Sequence, residues 1–253
     1  MIASLRAALP ASILLILAVF SAPALAQEGG AGLSKFMVTT YTLKPDKVDA
    51  WLTLQQGEVV PALKKAGVAK RTLLQTVLGP AMEFQSITPI AGFEAFDAPD
   101  PLVAALGEKK AADLKARLAD CLVSVHRDLE NRRDDFFVDP GDAAVQFASK
   151  YRPMPGKFGA YMAFFDKWMM PPIREAKADG TFAGLEVMIS QHGGEWNLIT
   201  LNMYYKDFAS MNGGPPVAKT LGPEKTREML AAGTGLIDPI QWIVRRRVPE
   251  GSF

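Results

Sequence analysis

Two histidines and one cluster of amphipathic side chains are the groups in this sequence whose types could do chemistry. His126 stands in Leu122-Val-Ser-Val-His-Arg127, with Ser124 and Asp128 at alternate positions, and His192 precedes Gly193-Gly194. Neither stands on a helix with a cysteine, histidine or carboxylate at ligand interval, since His126 reads as strand and His192 as a hairpin turn, so spacing builds no metal site. Tyr161, Trp168, Glu186, Trp196, Asn202, Tyr204 and Tyr205 gather on one helical stretch and one hairpin of the C-terminal half. Apolar bodies with a few polar tips line small-molecule pockets, and the same residues fill cores. Both readings stand at this stage, and with His192 the first six of these residues form the candidate ligand-binding set. No catalytic residue is assigned. There is no Gly-x-Ser-x-Gly elbow and no glycine-rich phosphate loop after a strand. Gly213-Gly-Pro-Pro216 reads as a helix entry.

Cys121 is the one cysteine, so no intrachain disulfide can form. Its neighbours, Leu118-Ala-Asp-Cys-Leu-Val123, suit a buried, inert thiol. Lys and Arg total 28 against 27 Asp and Glu, and past residue 26 the balance is even. A neutral chain is a poor partner for nucleic acid or an anionic membrane surface. Arg245-Arg-Arg247 is a short basic run that reads as a solvated strand end.

The elements that must position these groups begin after a targeting segment. Arg6, the apolar run Ala11 to Phe20 and Ala24-Leu25-Ala26 have the layout of a secretory signal, residues 1–26, with an apolar run too short to span a bilayer comfortably. An exported protein, periplasmic or secreted and with no stable membrane insertion once the signal is removed, is the expectation. Residues 27–35 read as a disordered Gly/Ala-rich leader.

The rest is a doubled pattern. Tyr151-Arg-Pro-Met-Pro-Gly-Lys157 repeats Tyr41-Thr-Leu-Lys-Pro-Asp-Lys47, and Pro171-Pro-Ile-Arg-Glu-Ala176 repeats Pro61-Ala-Leu-Lys-Lys-Ala66, at a constant offset of 110 residues. Between these motifs Phe158, Tyr161, Met162, Phe165, Met169, Pro172, Ile173 and Ala176 form one helical stripe. Its counterpart is Val48, Trp51, Leu52, Gln55, Val59, Ala62, Leu63 and Ala66, apolar save for Gln55. Pro61 and Pro171 are expected to kink or restart their helices. A hairpin, a second helical region and a closing strand follow in each half. Pro101 to Gly107 matches Pro216 to Gly222.

Each half is therefore strand, helix, strand, strand, helix, strand, the ferredoxin-like order. One such unit leaves a bare sheet face, and a second copy supplies the cover. The expected class is α+β: two tandem ferredoxin-like βαββαβ repeats packed sheet to sheet as a pseudo-two-fold barrel. Residues 36–135 form the first repeat, 136–144 a linker, 145–248 the second repeat and 249–253 a tail. Aligning the halves places Gln241 opposite His126, Leu78 opposite His192, and Thr88 and Ile90 opposite Asn202 and Tyr204. Neither histidine is shared by the copies, and the second repeat is the better ligand holder.

Tyr-x-x-x-Pro-[Asp/Gly]-Lys leading into a helix that ends Pro-x-[Leu/Ile]-[Lys/Arg]-x-Ala resembles the dimeric α/β-barrel superfamily, in its NIPSNAP and antibiotic-biosynthesis-monooxygenase-like flavour. The resemblance covers both copies. It implies a site between sheet and helices, and activities that range from cofactor-free oxygenases through haem-dependent chlorite dismutases and peroxidases to proteins with none assigned. His126 or His192 as a haem ligand is the cofactor alternative it raises; otherwise no cofactor is expected. The leading expectation is a protein that binds a small, partly apolar molecule in the second repeat or serves in an assembly, such as a homo-oligomer. The alternative is a haem-dependent or cofactor-free oxidoreductase.

Overall fold

The computed structural model describes residues Gly32–Phe253 apart from Thr181. The expected signal segment, and the leader as far as residue 31, lie outside the described residues. Eight strands and seven α-helical segments follow in the order β1 (Leu33–Leu43), α1 (Val48–Leu54), α2 (Val60–Lys65), β2 (Thr72–Leu78), β3 (Glu83–Ile90), α3 (Pro101–Leu106), α4 (Glu108–Asp120), β4 (Leu122–Arg133), β5 (Val145–Pro153), α5 (Phe158–Phe164), α6 (Met170–Ala178), β6 (Gly184–His192), β7 (Ile199–Tyr205), α7 (Pro216–Gly233) and β8 (Ile237–Arg247).

All strands are antiparallel and close into one barrel, β1-β3-β2-β8-β5-β7-β6-β4. Each repeat contributes four strands in ferredoxin order. The two half-sheets meet at two related seams, β2 against β8 and β4 against β6. The bare faces of the repeats thus turn toward each other, and hydrogen bonds at the seams remove every free sheet edge.

The helices cover the outside. In the second repeat Tyr161, Phe165, Met170 and Ile173 pack on Leu185, Val187, Ile199 and Leu201. In the first, Trp51 packs between Tyr41 and Phe84, with ring centroids 5.2 and 5.1 Å away. Both proline-bearing helices continue rather than restart. Each passes through a single π turn, Gln55–Val59 and Phe165–Met169, closed by N–H bonds from Val60 to the Gln55 carbonyl and from Met170 to the Phe165 carbonyl. A wider turn just before Pro61 and Pro171 gives room to a ring that would crowd the carbonyl four residues back. Gln55, the polar member of the stripe, is buried at the start of its π turn. Gly107 and Gly222 interrupt the second helical region at matching points with φ of 79° and 74°, a backbone that side chains disfavour.

One expected boundary shifts, and the linker and the tail are packed. Leu33 to Lys35 are strand, not leader, because the long β4 offers Arg133 to Asn131 as ladder partners and Ser34 Oγ donates to Asp134 Oδ2 at 2.8 Å. The stretch 136–144 is no free linker: Phe136 is buried against Phe165, and Val138 bridges to Leu185. The tail returns to the first repeat. Phe253 and Arg71 exchange two backbone bonds of 2.9 Å, and Arg71 Nη1 donates to the Gly251 carbonyl.

Candidate functional site

Strand alternation sorts every side chain to the helix layer or to the barrel interior. Residues opposed across the antiparallel ladders share a face: Phe36 with Glu130 and Pro89, Gln146 with Tyr204 and Arg245, Glu186 with Asn202, and Arg132 with Met188. These face inward. Phe36, Val38, Leu74, Ile87 and Met188 form an apolar cluster there, beside a set of polar and charged groups.

One hydrogen-bonded chain crosses that interior. Arg245, 1% exposed, donates through Nη2 to Glu83 Oε1 at 3.3 Å and through Nη1 to Gln146 Oε1 at 3.2 Å. Gln146 Nε2 donates to the Tyr204 hydroxyl at 3.1 Å, and that hydroxyl donates to Glu186 Oε2 at 2.5 Å. Arg132 Nη1 lies 3.7 Å from Glu186 Oε1, while its Nε donates to Asp134 Oδ1 at 2.7 Å. Its guanidinium also stacks 3.8 Å over the Phe137 ring. Burial raises the Glu186 carboxyl above its ordinary range, against the pull of the Tyr204 bond, Arg132 and Lys70. Burial, then the Glu186 charge, pushes the Tyr204 phenol far up, so it stays a neutral donor. Arg245 is shifted down by burial and held back by Glu83. Further along, Glu130 is buried and raised to about 7.

The chain ends at a cavity of about 480 Å³ in one mouth of the barrel. Phe36, Leu74, Ile87 and Pro89 supply an apolar wall; Tyr204, Glu186, Gln146 and Arg132 supply its polar floor; Lys35, Lys70 and Arg247 stand around it.

The seven candidate ligand-binding residues separate into three places. Glu186 and Tyr204 line this cavity, and Asn202 sits one pleat deeper, buried, with its Oδ1 unpaired. Tyr161 and Trp168 belong to the helix-layer core of the second repeat. Trp196 is 71% exposed, in the turn before β7. His192 follows a bulge in the β4–β6 seam and sits edge-on to Phe93, with ring centroids 5.4 Å apart. The halves also align differently from the sequence reading. By ladder position Asn202 and Tyr204 correspond to Ile87 and Pro89, one residue short of Thr88 and Ile90. Arg245, Arg132, Gln146 and Glu83 are the interior residues that the sequence reading missed. Arg245 is no solvated strand end.

A haem held by either histidine does not fit this arrangement. The layer between sheet and helices, where the resemblance puts a site, is filled in the second repeat by Tyr161, Phe165, Met170 and Ile173, all at most 3% exposed. His126 bonds Asp128 at 2.9 Å, roughly 20 Å along β4 from Arg132. Among the described residues no histidine or cysteine lines the cavity. Tyr204, the one side chain there of a type that ligates haem iron, is occupied by Glu186 and Gln146.

No family model and no curated protein matches the chain. Solved structures do. A protein of Lactobacillus acidophilus NCFM provisionally assigned as a monooxygenase aligns over 88% of this chain and 98% of its own, with a TM-score of 0.56 and 9% identity. An anthrone oxidase-like protein aligns over 85% and 91%, with a TM-score of 0.53 and 11% identity. A protein provisionally assigned as a chlorite dismutase aligns over 87% and 96%, with a TM-score of 0.52 and 11% identity. At such identities the likeness carries the fold and not the activity. The chain is thus built on the dimeric α/β-barrel fold, with two ferredoxin-like repeats joined in one polypeptide where the fold's name implies two subunits.

Proposed function

We propose that this is an exported protein that binds a small, partly apolar molecule in the mouth of its barrel. The observation that carries the reading is the cavity itself. Its volume lies within the range of small-molecule sites, its wall is apolar, and the polar groups of its floor, Gln146, Tyr204, Glu186 and Arg132, are held by a continuous chain of hydrogen bonds and an ion pair. Most of those polar groups come from the second repeat, while the first repeat supplies most of the wall. The alternative, an oxidoreductase, rests on the shared fold alone.

Thr72 is half-buried in the lining, on a strand that accepts aromatic residues. Thr72→Phe should fill the cavity and leave the fold intact by circular dichroism. Purified from cells that export it and examined by native mass spectrometry, the unaltered protein should carry a bound small molecule, and Thr72→Phe should lose at least about 90% of it. Retention by the variant would move the site elsewhere. A protein that is bare in every preparation, and remains bare after incubation with an extract of those cells, would end the proposal.

A further inference from the structure

Resting on the binding reading just given, the charge around the cavity points further, and we infer that the ligand is an organic acid: an apolar body carrying a single carboxylate. The lining contains four cationic side chains, Lys35, Lys70, Arg132 and Arg247, against one acid, Glu186. Two of the four are compensated. Arg132 is shared between Asp134 and Glu186, and Arg247 Nη1 reaches Asp142 Oδ1 at 3.1 Å. Lys35 and Lys70 have no ion pair among the described residues. The one acid does not cancel them, since its carboxyl is tied to Tyr204 in a buried setting that disfavours the charged form.

The geometry orients the ligand. Phe36, Leu74, Ile87 and Pro89 take up the apolar body inside the barrel. The two unpaired ammonium groups stand at the first turns of the chain into β1 and β2, Lys35 within the strand and Lys70 just before Thr72. A head group held there keeps part of its hydration, so the attraction is a screened surface interaction. A neutral molecule of the same shape forgoes that attraction, and a cationic one meets like charge.

Three probes of one shape separate the possibilities: 2-naphthoate, 2-naphthamide and 2-naphthylmethylammonium, each titrated calorimetrically into the purified protein at low and at high salt. The expected order is carboxylate first, tighter than the amide by about tenfold at low salt, with the ammonium weakest. Added salt should shrink the carboxylate's advantage. Lys35→Gln with Lys70→Gln should bring carboxylate and amide to within about threefold. Equal binding of carboxylate and amide by the unaltered protein overturns the acid assignment but leaves the cavity as a ligand site. Binding that Thr72→Phe does not diminish fails the cavity reading instead. No binding by any of the three, up to about 1 mM, overturns the inference for molecules of this shape.

Discussion

Arg245→Met should lower the unfolding free energy by about 3–5 kcal/mol, the loss seen when one partner of a buried ion pair is removed. Arg245 is 1% exposed and donates to Glu83 and Gln146, and Thr76 Oγ1 converges on the same Glu83 oxygen at 3.4 Å. Glu130, buried on the same inner face, also feels its charge. Methionine fills similar volume and supplies no donor, so the cost is electrostatic rather than a cavity. Glu83 would be left partly buried without its cation, and Gln146 would lose the bond that orients it toward Tyr204. In a chain of this size the midpoint temperature should fall by roughly 10 °C. Urea unfolding checks the value. Adding Glu83→Gln and Glu130→Gln to Arg245→Met should recover more than half of the loss, because the orphaned carboxylates are then gone. A loss below about 1 kcal/mol, or a triple variant as unstable as the single one, would show that the interior charges are not coupled.

That residue also marks where the sequence stops being legible. The doubling was readable because two motifs kept one offset, and because the helical stripes kept their period while their exposed residues diverged. From doubling followed the bare faces and the barrel. The side-chain assignment within the barrel did not follow, for a reason that lies in the strand period. Successive strand residues alternate faces, so a one-residue error exchanges inside and outside. Pairing Asn202 with Thr88 rather than Ile87 is such an error, and it hides that the first repeat's counterparts of the cavity groups are wall residues. The gain of residues between the copies near Asp179-Gly180 blurs the offset just before β6, where it matters most. The basic run at Arg245 misleads because such a run at the end of a strand usually meets water. In a closed barrel β8 has a partner on either side, and the face carrying Ile243 and Arg245 has no solvent to reach. The alternation in Ile243-Val-Arg-Arg-Arg247 was the available signal: Arg245 shares a face with Ile243, and Arg246 shares one with Val244. Tyr161 and Trp168 stand away from the cavity for the converse reason. Tyr161 lies on the helical stripe and Trp168 packs beside it, and an aromatic on a layer that packs against a sheet belongs to the core before it belongs to a pocket.

Glu130→Gln should remove a slope in stability between about pH 4.5 and pH 7. Burial raises this carboxyl from 4.5 to about 7, with Lys150 and Arg245 opposing the rise and Asp128 and Glu186 adding to it. Across that window the native protein holds a proton that the unfolded chain has released. Stability is therefore greatest below the unfolded value, falls as pH rises through the native one, and levels off above it. The span corresponds to roughly 3 kcal/mol at about 1.36 kcal/mol per unit. Glutamine keeps the shape and is neutral at every pH. The variant should match the unaltered protein near pH 4 and exceed it by about 2–3 kcal/mol at pH 8. Asp100 and Asp135, whose carboxyls are held below their ordinary range chiefly by Lys115 and Arg133 and by backbone N–H donors, lose stabilisation only as pH falls further, so their contribution has the opposite sign and a lower window. The difference between the two proteins, rather than either curve alone, isolates Glu130, since Glu186 is also raised and is present in both. A difference that stays constant from pH 4.5 to 8 would mean that Glu130 is ionised in the folded barrel, satisfied by Lys150 and Arg245. The interior would then be a charged network in balance rather than one that stores a proton.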